Sequence, residues 1–207
     1  MLKNFIEQTI NGIQVGSIYA LIALGYTMVY GIVKLINFAH GDILMVGAYI
    51  AFASVSSGIP LPVAIIISMV TCAVLGVTID YFAYRPLRNS PKISALITAI
   101  GVSFLLESLA LIIFKAEPKV IKTEDVPSFL SSESINFGYV SVSKLTIFVI
   151  VITLLCMLGL NFFIKKTKLG KATRAVSQDT SAAKLMGINV NLTIAVTFAI
   201  GSALGSL

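Results

Sequence analysis

An all-α protein that crosses a membrane several times is the fold class this sequence predicts, on three observations. Of its 207 residues, 57% are hydrophobic and 12% charged, about half the charge of a soluble domain. The mean hydropathy is +0.97. The few charges are clustered, so that Glu7 to Lys34 encloses 26 uncharged residues, Asp42 to Asp80 encloses 37, and Lys144 to Lys165 encloses 20. A soluble helix must turn a polar face to water, and these runs offer none. A spanning helix needs about 20 apolar residues, at about 1.5 Å each across about 30 Å of hydrocarbon. The composition excludes a soluble enzyme, a disulfide-rich secreted module and a disordered chain.

The segments follow in order. Span one covers about 10–33, with Gly12, Gly16 and Gly25 suited to close helix contact. It is too long for a signal-peptide core. The next uncharged run divides at Ser57-Gly58-Ile59-Pro60-Leu61-Pro62, where glycine and proline favour a turn. Span two is then about 43–57 and span three about 61–84. Span two is short, and the polar stretch Asn37-Phe38-Ala39-His40-Gly41-Asp42 precedes it. It either extends back over that stretch or is a half-helix or re-entrant segment, which is tolerated only where protein buries it or it lines a cavity. Span four, 93–114, carries Glu107 internally; its aliphatic and aromatic residues outweigh the roughly 2.5–3.5 kcal/mol that a central acid costs. Residues 115–143 read as a polar loop with little regular structure. Span five is 145–164, a second polar loop runs over 165–191, and span six begins at Leu192.

Basic residues collect in cytoplasmic loops. The stretch 85–92 holds Arg85, Arg88 and Lys92 without an acid, and 165–191 holds six basic residues against Asp179. Both are expected in the cytoplasm and 115–143 outside. The N-terminus falls outside if span two crosses fully and inside if it is re-entrant; the weight lies slightly with outside. The chain is expected to form a single membrane domain over 1–207.

Enzyme chemistry fails on inventory. His40 is the sole histidine, so paired-histidine metal sites are excluded, and no G-x-x-x-x-G-K-[ST] phosphate loop occurs. If ATP drives this protein, another subunit binds it, and no cofactor is expected here. Cys72 and Cys156 lie in apolar runs and read as small core residues.

Three places carry functional signals. Glu107 inside a span is either a carboxylate facing other helices and holding the bundle, or part of a translocation path. Asn37 to Asp42 is either an ordinary surface loop or a helix start turned toward a polar substrate. Asp80, near the end of its span, is expected to pair with Arg85 or Arg88. In the basic loop, Asp179 is placed to cap a short helix of about Thr180 to Met186, with Gly187 as its stop. So short a helix is unstable alone. Its apolar residues Ala182, Ala183, Leu185 and Met186 need other protein or the bilayer, which leaves membrane adsorption or docking into a cytoplasmic partner.

The stretch GSIYALIALGYTMVYGIVKLINFAHGDILMVGAY and the later GKATRAVSQDTSAAKLMGINVNLTIAVTFAIGSALG together resemble the LivH-type permeases of branched-chain amino-acid ABC importers. The most specific part is INFAHGD at 36–42. The resemblance implies a subunit of the bacterial inner membrane with four kinds of partner: lipid, a second related permease, two cytoplasmic ATPases and an extracytoplasmic amino-acid-binding protein. It makes 172–187 the segment that engages an ATPase, through Asp179, Ala183, Leu185 and Gly187. Asn37, Asp42 and Glu107 are the candidates for lining the path. Such permeases continue for several spans beyond this loop, so the chain is expected to be a truncated product or a fragment. Two other readings stay open: the same kind of machine carrying urea or short amides, and an ATP-independent channel or secondary carrier. A non-transporting structural subunit is a third.

Overall fold

The computed structural model describes residues 2–88, 90–120, 134–137 and 140–207. Four long apolar helices dominate: α1 (Leu2–Val33), α3 (Leu61–Ile79), α4 (Lys92–Phe114) and α5 (Lys144–Lys166). Two shorter apolar helices, α2 (His40–Ser56) and α8 (Val190–Gly205), complete six membrane segments. Two helices outside them, α6 (Lys168–Gln178) and α7 (Thr180–Leu185), join α5 to α8.

The chain breaks where its chemistry demands. Lys34 takes a left-handed φ of 55° directly after α1, its N–H still bonded to the Tyr30 carbonyl at 2.8 Å. At the far end of α2, Gly58 (φ +83°) makes the turn, and Pro60 and Pro62 start α3, a position where proline's missing N–H costs nothing. The predicted division at 57–62 is therefore correct. Span one is longer than expected, beginning at Leu2. α3 does not stop at its last regular turn: Asp80–Tyr84 form a π-helical turn and Arg85–Leu87 a 3-10 turn.

The expectation of little regular structure in 115–143 needs correction, since Ser134–Phe137 (β1) and Val140–Ser143 (β2) pair antiparallel. Residues 121–133 of that expected loop lie outside the described residues. The basic loop 165–191 is more ordered than expected. Gly170, Thr173 and Val176 of α6 are buried, and a Cβ at Gly170 would collide with the Phe163 carbonyl and Ile164 at the end of α5. α6 therefore lies tight against α5. Its pattern is amphipathic, with Lys168, Lys171 and Arg174 opposite the buried Gly170, Thr173 and Val176.

α8 organises the bundle, packing along both α1 and α3. Its approach to α1 is glycine against glycine. A Cβ on Gly25 would meet the Gly201 carbonyl at 2.5 Å, and one on Gly201 would meet the Gly25 carbonyl at 2.8 Å. The G-x-x-x-G at 201–205 is thus a helix-contact face. Gly12 and Gly16 are not, having nothing within 4 Å. α2 runs antiparallel to α3: Ser68 Oγ donates to the Gly47 carbonyl at 2.7 Å and Cys72 Sγ to the Ile43 carbonyl at 3.5 Å.

These contacts sort the chain ends. Arg88 Nη1 donates to Asn191 Oδ1 at 2.5 Å, so the two basic stretches meet at one end of the bundle. Thr146 Oγ1 donates to Gln14 Oε1 at 2.6 Å, and β2 packs against α1. The first half of α1 thus shares the opposite end with the hairpin. Gly25→Ala should lower the stability of the protein by about 1–3 kcal/mol, the cost of overpacking, whereas Gly12→Ala should leave it unchanged. Thermal unfolding in detergent followed by circular dichroism checks both.

Candidate functional site

The sequence left open how α2 begins, and the structure places its start inside the bundle. α1 ends at the basic end of the molecule, and the chain from Lys34 to Ala39 turns back with Asn37 and Ala39 facing inward while Ile36 and Phe38 stay exposed; the Ala39 carbonyl accepts the first helical bond of α2 from Ile43 at 3.0 Å. His40 opens α2 at 4% exposure. Its ring lies beside Gly25 and Gly205, its Nε2 at 3.3 Å and 3.4 Å from the positions their Cβ atoms would take. Gly25 is eight residues before the end of α1, about 12 Å at the helical rise. Gly205 ends the 16-residue α8, about 22 Å from its start. α2 therefore extends back over His40–Asp42 to 17 residues, about 25 Å at the helical rise, and its start is buried in protein.

Polar groups gather at that root. Asn37, 4% exposed, accepts a 2.8 Å hydrogen bond from the Tyr84 hydroxyl. The Tyr84 ring packs against Phe198, centroids 5.4 Å apart, and Tyr26 meets the imidazole edge-on at 5.8 Å. Asn37 Nδ2, both ring nitrogens of His40 and Ser202 Oγ are buried without a well-formed hydrogen bond to any described residue. Each such group costs about 1–3 kcal/mol, an expense a bundle keeps only for a reason. Along the same face of α2 as His40, Leu44, Ala48 and Ala51 line an apolar cavity of about 380 Å³ that Ile22 and Phe148 help to close.

The three expected path residues do not form one cluster. Asn37 faces inward. Asp42 is half-buried on the other flank, where it accepts a very short hydrogen bond from Ser103 of α4. Glu107, one turn beyond Ser103, is exposed and bonds to none of the described residues. The alternative in which Glu107 holds this bundle together is therefore not met: its helix turns it outward. Asp42 and Glu107 share the α2–α4 flank, closed at its far end by Tyr49 stacked on Phe114 at 4.4 Å.

At the basic end, Asp80 is more than an interfacial acid. It is 2% exposed, set in the π-helical turn, and both its oxygens accept from Arg88 Nη2, at 2.6 and 2.8 Å. Nη1 of Arg88 reaches Asn191, so one arginine pins α3 to α8. Of the two partners foreseen, Arg88 makes this bond.

The residues of α7 fall as the capping pattern required. Asp179 Oδ1 accepts from the Ser181 and Ala182 N–H groups at 2.7 and 3.0 Å. Gly187 takes φ +78°, and the bonds Gly187 N to Lys184 O and Ile188 N to Ala183 O, both 3.0 Å, close the helix in a Schellman arrangement. The apolar residues do not share one side, contrary to expectation. Ala183 faces the body of the protein, while Leu185 and Met186 project outward at 89% and 81% exposure.

Comparison with known proteins identifies the family. The model of the family described as "Branched-chain amino acid transport system / permease component" matches residues 8–207. This chain belongs to that family. It is 41% identical over 215 residues to the "High-affinity branched-chain amino acid transport system permease protein BraD" of Pseudomonas aeruginosa, covering 100% of this chain and 70% of that one. It is 36% identical to the corresponding LivH of Salmonella typhimurium and 35% to that of Escherichia coli, each over 212 residues, 98% of this chain and 68% of theirs. No solved structure matches. The chain is a multi-pass membrane permease component of a transport system, and its family is one of transporters rather than enzymes. As a component, it works with other subunits.

Sequence reasoning missed Tyr84 as part of the α2 root, and Ser202 as the residue that α8 sets against Gly76 of α3. Their signal was positional only, a tyrosine near a span end and a serine between two glycines. Arg88→Ala should destabilise the permease by about 3–5 kcal/mol, because it leaves Asp80 charged and buried. Adding Asp80→Asn should recover part of that loss. A double-mutant cycle on thermal unfolding measures the coupling.

Proposed function

We propose that this permease is the membrane subunit of an ATP-driven importer for branched-chain or other hydrophobic amino acids. Its partners would be a second related permease, two cytoplasmic ATPases and an extracytoplasmic binding protein. The basic end, with 85–92 and 165–191, lies in the cytoplasm. The hairpin, the rest of 115–143 and the N-terminus lie outside. Positive-inside charge supports this orientation, and so does the meeting of the two basic stretches through Arg88 and Asn191.

The observation that carries the coupling role is the pair Leu185–Met186. Two large apolar side chains stand almost fully exposed beside a turn that Asp179 and Gly187 hold rigid. Exposed hydrophobic groups on a fixed tip suit insertion into a partner's groove. Ala183 anchors that tip to the body. Movement of an ATPase would then reach α8 through Ile188 and Asn189, and from α8 the root of α2.

The transported molecule is a zwitterion with an aliphatic side chain. The carboxylates of Asp42 and Glu107 suit its ammonium group, and the exposed apolar side chains of α4 beside them, Ile100, Phe104 and Leu111, suit the side chain. Asn37 serves as a positioning residue, fixing the start of α2 through Tyr84. The path runs along the α2–α4 flank, toward the second permease. An exposed Glu107 supports this, because a carboxylate left to lipid is costly and one facing a shared path is not.

Replacing Leu185 and Met186 together by aspartate should abolish substrate-stimulated ATP hydrolysis and uptake by the assembled transporter in proteoliposomes. Membrane insertion should be unaffected, since neither side chain is packed. Unchanged uptake would refute the docking role.

A further inference from the structure

The end of α3 carries a second arginine that the Asp80–Arg88 lock does not use. Arg85 is exposed and lies over the Tyr81 ring, 5.3 Å from its centroid. It lines two adjoining cavities. One, of about 310 Å³, lies between α3 and the start of α8, with Val77, Asn189, Asn191 and Leu192 in its wall. The other, of about 430 Å³, is bounded by Tyr81, Phe82 and Pro86.

The polar groups around Arg85 are donors. The Asn189 Oδ1 is occupied, capping the Leu192 N–H at 3.1 Å, and the Asn191 Oδ1 is occupied by Arg88. Both amides therefore have their NH₂ groups left to offer. The first turn of α8 adds backbone N–H groups and the positive end of its dipole. Asp80 also borders the cavity, where Arg88 bonds both its oxygens and offsets its charge. Immediately below lie Val77, Leu192 and Ala195, and the large side chains of Tyr81 and Phe82 face outward at the end of the span.

We infer that this cleft binds the phosphate of an anionic phospholipid, seated on Arg85 with its acyl chains along α3 and α8. A guanidinium with amide donors matches a phosphodiester. Basic pockets between spans at a membrane face are suited to anionic headgroups. The apolar wall beneath selects a lipid over free phosphate, which would gain nothing from it. Bound there, the lipid bridges the same two helices as Arg88.

The test is lipid retention by the intact transporter complex, purified in mild detergent and analysed by mass spectrometry. Arg85→Gln should reduce co-purified phosphatidylglycerol by about fivefold at this site, the effect of one basic residue, with phosphatidylethanolamine unchanged. Arg85→Lys should retain most of it. Equal phosphatidylglycerol in wild type and Arg85→Gln, or a parallel loss of both lipids, would overturn the proposal. So would displacement of the lipid by inorganic phosphate, which would make the ligand a free anion. Thermal unfolding of the variant, expected to match wild type in lipid-free detergent, separates lipid loss from misfolding.

Discussion

The turn that follows α1 leads the chain back into a bundle that spans a membrane, burying Asn37 and Ala39, and the rest of the structure depends on accommodating it. Hydrocarbon cannot satisfy free backbone N–H and C=O groups, so such a segment persists only where protein encloses it. The enclosure is built from small residues. Gly25 and Gly201 let α1 and α8 touch backbone to backbone, Gly205 admits the His40 ring, and Ala39 is fully buried. Tyr84, hydrogen-bonded to Asn37, closes the root from the side of α3. A Cβ at Gly25 or Gly201 would push α8 away from α1.

From that constraint the functional layout follows. Because α2 starts within the bundle, its first turn presents Asp42 to α4 rather than to solvent, and the α2–α4 flank becomes an acidic strip in an apolar surface. Because α8 is the helix that encloses the turn, its attachment at the basic end decides how firmly the turn is held. Arg88 provides that attachment, bonded at once to Asp80 and Asn191. The exposed tip at Leu185 and Met186 is joined to α8 through only a few residues. A displacement at the tip therefore has a short, rigid route to the start of α2.

Much of this was legible in the sequence because the signals are local. Proline and glycine at 57–62, the Asp179 cap, the Gly187 stop and the Asp80–Arg88 pair all act within a few residues. The family followed from INFAHGD and the basic loop for the same reason. What was not legible depends on distant contacts. The depth at which α2 begins is set by glycines of α1 and α8 more than 150 residues apart in the chain. The outward face of Glu107 depends on which side of α4 meets α2, and an apolar helix gives no periodicity from which to read it. α6 was legible too, in the three-residue spacing of Lys168, Lys171 and Arg174 opposite Gly170, Thr173 and Val176.

The most direct test of the inward turn is thiol accessibility. In a chain whose native cysteines, Cys72 and Cys156, are replaced by serine, Lys34→Cys and Ala39→Cys should behave oppositely toward a membrane-impermeant maleimide. Position 34 should label rapidly from the basic side, and position 39 only once the protein is unfolded. Labelling of both positions at the same rate would make 34–39 an ordinary surface loop and contradict the account.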